Sequence, residues 1–442
     1  MNGDRPPIAD APPPASITET EAQYALGLVR RICDEVGPGI PGSPQERARA
    51  EVLRQELESH LGPENVSLED FRLAPDAFLA APAVSTVWMV LAALLNLAAG
   101  RLPGIPVWVS ASAAVGLSIV AVLIFLLGFV LALEVLDPLF PKRTSVNVIG
   151  RLRKPGTENV RRLLLLSGHL DSAVEFNWIR YTRYGYFVLS ITWLIAQIVV
   201  LGFSLIQLSG ALAGAPNLVR LGTLGWVLLA YPIAPSIAYA LFFAGSRRDG
   251  GAVPGAADNL ASCATAIALC RFLVANPSTM PEDTEIRFVC FGSEEAGVRG
   301  SRRYVARQLD ELRRLDARLV NFETIVHPVI TILSSETNGS VKNSPALVQS
   351  LVAAAKRAGV PYRVQPALLG TSNDAGPFSK AGLKAATLIP WKFPQQTVAF
   401  YHTRRDRPDI LTVEPLLNVL RLSLAWIRPG GEGPTREFDE DA

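Results

Sequence analysis

The 442-residue chain has only four histidines, and two of them sit where they can do chemistry. LLLLSGHLDS places His169 and Asp171 just past an apolar run, two residues apart. At that spacing a carboxylate can accept the second ring N–H of the imidazole and fix its orientation. TVAFYHTRRDRPDI puts His402 in a polar loop directly after an aromatic pair. Three acidic positions have comparable settings: Glu294 and Glu295 are adjacent in FVCFGSEEAGVRGS, Asp258 lies in the small-residue loop PGAADNLASC, and Glu323 lies in NFETIVHPVITIL. Taken singly, each has an ordinary use. An H-x-D is a hydrogen-bonded turn, an Asp before an apolar helix is an N-cap, and paired glutamates open a solvated helix whose dipole favours them. If one glutamate of the pair ligates a metal, its neighbour is placed to take a proton from the water there. His60 and His327 have no such setting and read as structural or surface residues.

These positions matter only if the chain brings them together. SVNVIGRL, RLLLLSG, EIRFVCFG, VITIL and AATLIP are apolar strand patterns. Helical patterns separate most of them: NLASCATAIALCRFLVA, GSRRYVARQLDELRRL, PALVQSLVAAAKRAG and VEPLLNVLRLSLAWI. Alternating strands and helices predict an α/β fold with a mostly parallel central sheet flanked by helices. Ligands in such sheets bind at the C-terminal ends of the strands, where His169 and the Glu294–Glu295 pair fall. Upstream, two amphipathic helices are expected over residues 19–61, the first opened by a Thr-x-x-Glu capping box, with a strand at VSLEDFRL.

Four apolar stretches interrupt this pattern, at about Ala83–Ala99, Val107–Leu133, Tyr184–Leu208 and Leu221–Ala244. Each approaches or exceeds the ~20 residues a helix needs to cross a bilayer. The first is the shortest and carries Asn96, while Pro232 and Pro235 kink the fourth. Short linkers at Gly100–Pro106 and Ser209–Arg220 make two helical hairpins, each leaving and re-entering on one side. The expected organisation is a disordered leader (1–18), segments of one α/β domain (19–82, 137–183 and 246–430), inserted transmembrane hairpins (83–136 and 184–245) and a disordered acidic tail (431–442).

Composition agrees with a membrane protein: 49% of residues are hydrophobic and 19% charged, with a mean hydropathy of +0.26. A net charge of +2 and scattered basic residues argue against nucleic acid as a partner. Cys33, Cys263, Cys270 and Cys290 form no C-x-x-C pair and read as buried apolar residues. The opening MNGDRPPIADAPPPAS has acids and prolines where a cleaved signal needs a basic start and an apolar core.

The order H-x-D, D-N, E-E, E, H resembles the co-catalytic zinc aminopeptidases and carboxypeptidases of metallopeptidase family twenty-eight. The resemblance covers the polar part of the chain, including GPGIPGSPQERARAEVLRQEL and GTSNDAGPFSKAGLKAATL, and leaves out the hairpins. It implies two Zn²⁺ ions bridged by Asp258, one held also by His169 and Glu323, the other by Glu295 and His402. It further implies that Glu294 is the general base, that Asp171 orients His169 and that peptides are the substrate. The family more often has Asp where this chain has Glu323, and the NFE version resembles a membrane-embedded subgroup. Neutral imidazoles and carboxylates without thiolates suit catalytic Zn²⁺. Tyr401 is a candidate hydrogen-bond donor to the tetrahedral intermediate by adjacency to His402.

The reading is therefore a membrane-anchored zinc exopeptidase, an aminopeptidase by preference, with membrane lipid as a second partner. Two others stay open: an inactive membrane scaffold of the same fold, and a single-zinc transferase resembling glutaminyl cyclase. A transporter is disfavoured because the hairpins carry almost no ionisable residues. Lys142, Arg143, Arg151, Arg153, Lys154, Arg180, Arg183, Arg247 and Arg248 flank the hairpins on the domain side, against Arg101 and Arg220 in the turns. The positive-inside rule then makes the catalytic domain cytoplasmic. His169 precedes the third apolar stretch by 15 positions and Asp258 follows the fourth by 14. That tether puts the site roughly 15–30 Å from the hairpin ends.

Overall fold

A computed structural model of the protein describes residues 15–214, 233–234, 237–238, 251–368 and 371–428. Most of the leader, nearly all of the fourth apolar stretch (Leu221–Ala244) and the tail lie outside the described residues. In chain order the helices used below are α1 (Glu19–Glu35), α2 (Pro44–Leu61), α3 (Ala77–Ala98), α4 (Val107–Ile124), α5 (Asn177–Thr182), α6 (Gly185–Leu212), α7 (Ala261–Ala275), α8 (Arg299–Arg314), α9 (Pro345–Ala358), α10 (Ala375–Lys380), α11 (Gln395–Ala399) and α12 (Val413–Ile427). The strands are β1 (Val66–Leu73), β2 (Arg143–Arg153), β3 (Arg162–His169), β4 (Thr284–Phe291), β5 (Arg318–Phe322), β6 (Ile330–Leu333), β7 (Ser335–Glu336), β8 (Val341–Lys342), β9 (Tyr362–Gln365) and β10 (Lys384–Ile389).

Eight strands form one sheet in the order β1-β2-β4-β3-β5-β10-β6-β9. The central run β4-β3-β5-β10 is parallel, as is the β6-β9 pair, and β1, β2 and β6 join antiparallel. The apolar run in RLLLLSG is explained by burial on both faces: Leu164 and Leu166 point into a core built with α1, α2, α7, α9 and α12, while Leu163 and Leu165 point into a second core with α8 and α10. Helix α1 begins with the expected capping box, in which Thr18 and Glu21 satisfy each other's end of the first turn.

Among the described residues, four helices are long and apolar enough to cross a membrane: Ala77–Ala98, Val107–Val130, Gly185–Leu212 and Ala256–Ala275. The last is 89% buried among strands and helices of the α/β domain, so its apolarity serves the core. The other three leave apolar side chains outward, among them Val87, Leu91, Ile119, Val188, Ile191 and Ile198. The first helix starts six residues earlier than the hydropathy pattern marks and carries Pro82 inside it. The second ends in a π-helical turn, Phe125–Val130. Small residues let the three helices approach: Ala92, Ala93, Ala114, Ala121 and Ala196 share one buried cluster. The polar residues inside are paired. Asn96 Nδ2 donates to Ser204 Oγ at 2.7 Å, Gln197 Nε2 to Ser85 Oγ at 2.9 Å, and Trp193 Nε1 to Thr86 Oγ1 at 3.0 Å. Asn96, an apparent defect in the first stretch, thus ties the first hairpin to α6.

Candidate metal centre

The C-terminal ends of the parallel strands supply most of the site. His169 is the last residue of β3, and the Glu294–Glu295 pair follows β4 by two residues. Glu323 follows β5, the one central strand the sequence pattern marked only through its neighbouring glutamate. Asp258 lies in the irregular turn before α7 with φ −118° and ψ 84°, so it does not cap the helix in the ordinary way. His402 lies in the loop after α11. A close approach makes this convergence possible: a Cβ on Gly168 would sit 2.5 Å from Ser262 Cβ, so only glycine lets α7 lie against the end of β3.

All five expected ligand positions come together around Asp258. Its Oδ1 lies 3.2 Å from His169 Nε2 and its Oδ2 lies 3.1 Å from His402 Nε2. Glu323 Oε1 is 3.7 Å from His169 Nε2, and Glu295 Oε1 is 3.2 Å from His402 Nε2. Among the described residues three sets of three ligand atoms lie within 4.8 Å of one another: His169–Asp258–Glu323, Asp258–Glu295–His402 and His169–Glu294–Glu295, the first two built from the five expected ligands alone. Glu294 stands beside them, its Oε2 3.8 Å from His169 Nε2. Asp171 sits behind, with Oδ1 3.4 Å from His169 Nδ1 and its two oxygens accepting the backbone N–H of Glu294 and of Glu295, each at 3.0 Å.

The electrostatics are those of an anionic group short of cations. Burial works against a charged ring, yet the Glu295 and Asp258 carboxylates outweigh it and push His402 up to about 10. His169 rises in the same way, through Asp171, Asp258 and Glu323. Burial likewise opposes ionisation of Asp258, but its two imidazole partners hold it below the usual carboxylate range. Burial pushes Glu323 up to about 7 and raises Glu294 and Glu295. Asp258 Oδ2 and Glu295 Oε1 are buried and make no hydrogen bond despite their closeness to His402. Such orphaned oxygens, converging on a ring nitrogen, fit a shared cation between them.

Several supporting residues were not legible in the sequence. Asp406 accepts the backbone N–H of Ala257 at 2.7 Å and of Asp258 at 3.1 Å, and Asn259 Nδ2 donates to Glu323 Oε2 at 3.1 Å. Glu46, from α2, accepts from both the N–H and the Oγ of Ser293 at 2.8 Å, which holds the turn before Glu294. Phe176 packs edge-on against His402 at 4.4 Å, while the Tyr401 ring stacks on the imidazole at 3.8 Å. Of the remaining histidines, His60 bonds to Tyr24 and His327 Nδ1 accepts from Val329 N–H, both away from the cluster.

The cluster opens into a cavity of about 120 Å³. Its lining includes Asp258, Glu294, Glu295, Glu323 and His402, the aromatic residues Phe176, Trp391 and Tyr401, and the ends of the apolar helices through Phe78, Leu79, Phe129 and Tyr186. No Lys or Arg lines it among the described residues. The ends of the described apolar helices thus share one cavity with the candidate ligands, where the tether led to an expected separation of roughly 15–30 Å.

Residues 243–427 match the model of Peptidase family M28. Aminopeptidase YwaD of Bacillus subtilis (strain 168) is 30% identical over 172 residues, 37% of this chain and 35% of that protein, so the match spans about a third of the curated relative. The fold as a whole is similar to two solved structures at identities that show the fold alone. An aminopeptidase from Aneurinibacillus sp. strain AM-1 aligns with a TM-score of 0.52 and 15% identity over 93% of this chain and 97% of that one. Fimbriiglobus ruber glutaminyl cyclase aligns with a TM-score of 0.53 and 15% identity over 95% and 99%. The matched residues 243–427 carry four of the five clustered positions, so the likeness to peptidase family M28 falls on the part of the chain that builds the site.

Proposed function

We propose that this is a membrane-anchored zinc metallopeptidase that removes N-terminal residues from peptides. The observation that carries this reading is the position of Asp258, one carboxylate oxygen against each imidazole. In the proposal His169, Asp258 and Glu323 hold one Zn²⁺, and Asp258, Glu295 and His402 hold the other. When bound, zinc supplies Lewis acidity that activates water near neutral pH and polarises a carbonyl. Glu294, beside both sets but needed by neither, takes the proton of the attacking water at its carboxylate and passes it to the leaving amine. Asp171 fixes the His169 ring and, through the two backbone N–H groups, the Glu294–Glu295 turn.

The lining favours an aminopeptidase over a carboxypeptidase, because a substrate's terminal carboxylate finds no Lys or Arg among the described lining residues. Anchoring rests on α3, α4 with its π turn, and α6, whose outward apolar side chains run over helices of 22 to 28 residues. The basic residues beside the hairpins support a cytoplasmic α/β domain by the positive-inside rule.

Glu294→Gln in purified, zinc-loaded protein tests the assignment. Hydrolysis of amino-acid amides should fall about 10²–10⁴-fold with zinc content unchanged; undiminished hydrolysis removes Glu294 from the mechanism. A second reading, a single-zinc cyclising transferase, draws on the fold shared with glutaminyl cyclase. Zinc stoichiometry separates the two.

A further inference from the structure

We propose that the apolar helices form part of the substrate site itself, with Phe78, Leu79 and Phe129 as specificity-determining residues for the side chain next to the scissile bond. The inference rests on the peptidase reading above. Phe78 and Leu79 lie in the first turn of α3 and Phe129 in the π turn that ends the second apolar helix, yet all three line the cavity that holds Asp258, Glu294 and Glu295. Phe78 lies directly against the turn that bears the two glutamates. A Cβ on Gly297, whose φ is +93°, would meet Phe78 Cδ2 at 3.0 Å.

This wall is rigid. The Phe78 and Phe129 rings stack at 5.0 Å and 18°, Phe129 stacks on Phe125 at 5.6 Å, and Phe125 meets Trp193 of α6 edge-on at 4.5 Å. The aromatic series therefore runs from the cavity into the helical bundle and is braced by both hairpins. The cavity has two chemical sides: the candidate metal ligands with Glu294, and an apolar wall that suits a hydrocarbon side chain. An acidic substrate side chain against that wall would lose its hydration and find no Lys or Arg among the described lining residues. The class of substrate is a peptide with a free amine and an apolar first residue whose size is limited by α3 and the end of α4.

The test uses the full chain, zinc-loaded in detergent, with alaninamide, leucinamide and phenylalaninamide as probes. Phe129→Ala enlarges the wall and should raise the phenylalaninamide-to-leucinamide ratio of kcat/KM about tenfold, whereas Leu79→Trp narrows it and should raise the alaninamide-to-leucinamide ratio about tenfold. Zinc content should stay at the wild-type level in both. Because the two variants shift preference in opposite directions, a general loss of fold cannot imitate the result. If both keep hydrolysis and zinc but neither ratio moves, the wall lies elsewhere and the inference fails while the peptidase reading stands. If the wild type binds zinc and cleaves none of the three amides, the peptidase reading fails and takes this inference with it.

Discussion

Asp171 accepts the backbone N–H of Glu294 at 3.0 Å through the same oxygen that lies 3.4 Å from Nδ1 of His169. One buried carboxylate thus sets both a candidate ligand and the candidate base. Asp171→Asn keeps the volume but replaces one acceptor oxygen with a donor that faces two N–H groups. Zinc affinity should fall about 10–100-fold, the usual loss when a carboxylate behind a metal-bound histidine is removed. Chelator competition measures it; unchanged affinity would leave Asp171 with no part in orienting His169.

Asp406 makes a second support visible. Its two oxygens hold the N–H groups of Ala257 and Asp258, all buried. Asp406→Ala leaves both without an acceptor, at about 1–3 kcal/mol each. The melting temperature should drop and zinc should bind more weakly, with Asp406→Asn recovering part of the loss. A variant with wild-type melting and zinc affinity would show that the turn at Asp258 holds itself.

The pH dependence of zinc loading follows from the histidines. His402 is pushed up to about 10, since the Glu295 and Asp258 carboxylates outweigh burial, and His169 is raised too. A raised pKa means that the metal-free protein keeps these protons across the neutral range, and zinc must displace them to reach the ring nitrogens. Apparent zinc affinity should therefore strengthen as pH rises from about 6 to about 8. Equal affinity at the two pH values would contradict the ligand assignment.

Arg299 fastens the first hairpin to the domain. It is 1% exposed, and its guanidinium reaches Glu134 and Asp137 at 2.9 Å each while Nε donates to Ala296 O at 2.9 Å. Arg299→Met takes this partner from Asp137, while Glu134 keeps both hydrogen bonds from Arg303; it should cost about 1–3 kcal/mol, read as a lower melting temperature. Because Ala296 follows the glutamate pair, amide hydrolysis should fall as well. An unchanged melt would mean that the apolar contacts alone hold the hairpin.

What was readable in the sequence, and what was not, follows from how local each signal is. VSLEDFRL forms β1 over the expected residues because its pattern of side chains is complete within one strand. The clustered positions were readable because each of them borders a strand or helix end, where an α/β sheet collects its ligands. The edge strand β9, YRVQ, carries no comparable signal: its residues are exposed or half-buried and alternate weakly. Asp406 looks like any solvated carboxylate in TRRDRPD, and Glu46 like any surface glutamate in a charged helix. Their roles exist only because distant segments close over them, 148 residues from Asp258 in one case and 247 from Ser293 in the other. The hairpins were legible as apolar runs, but their share in the cavity depends on the angle at which α3 and the end of α4 meet the Glu294 turn, which no local pattern encodes.

The central claim is a two-cation site bridged by Asp258, and counting zinc in the purified chain tests it most directly. Elemental analysis, run beside leucinamide hydrolysis, should find two zinc ions per wild-type chain. His402→Ala should lower the count to one and abolish hydrolysis. A wild-type chain that carries a single zinc ion and is fully active would contradict the account.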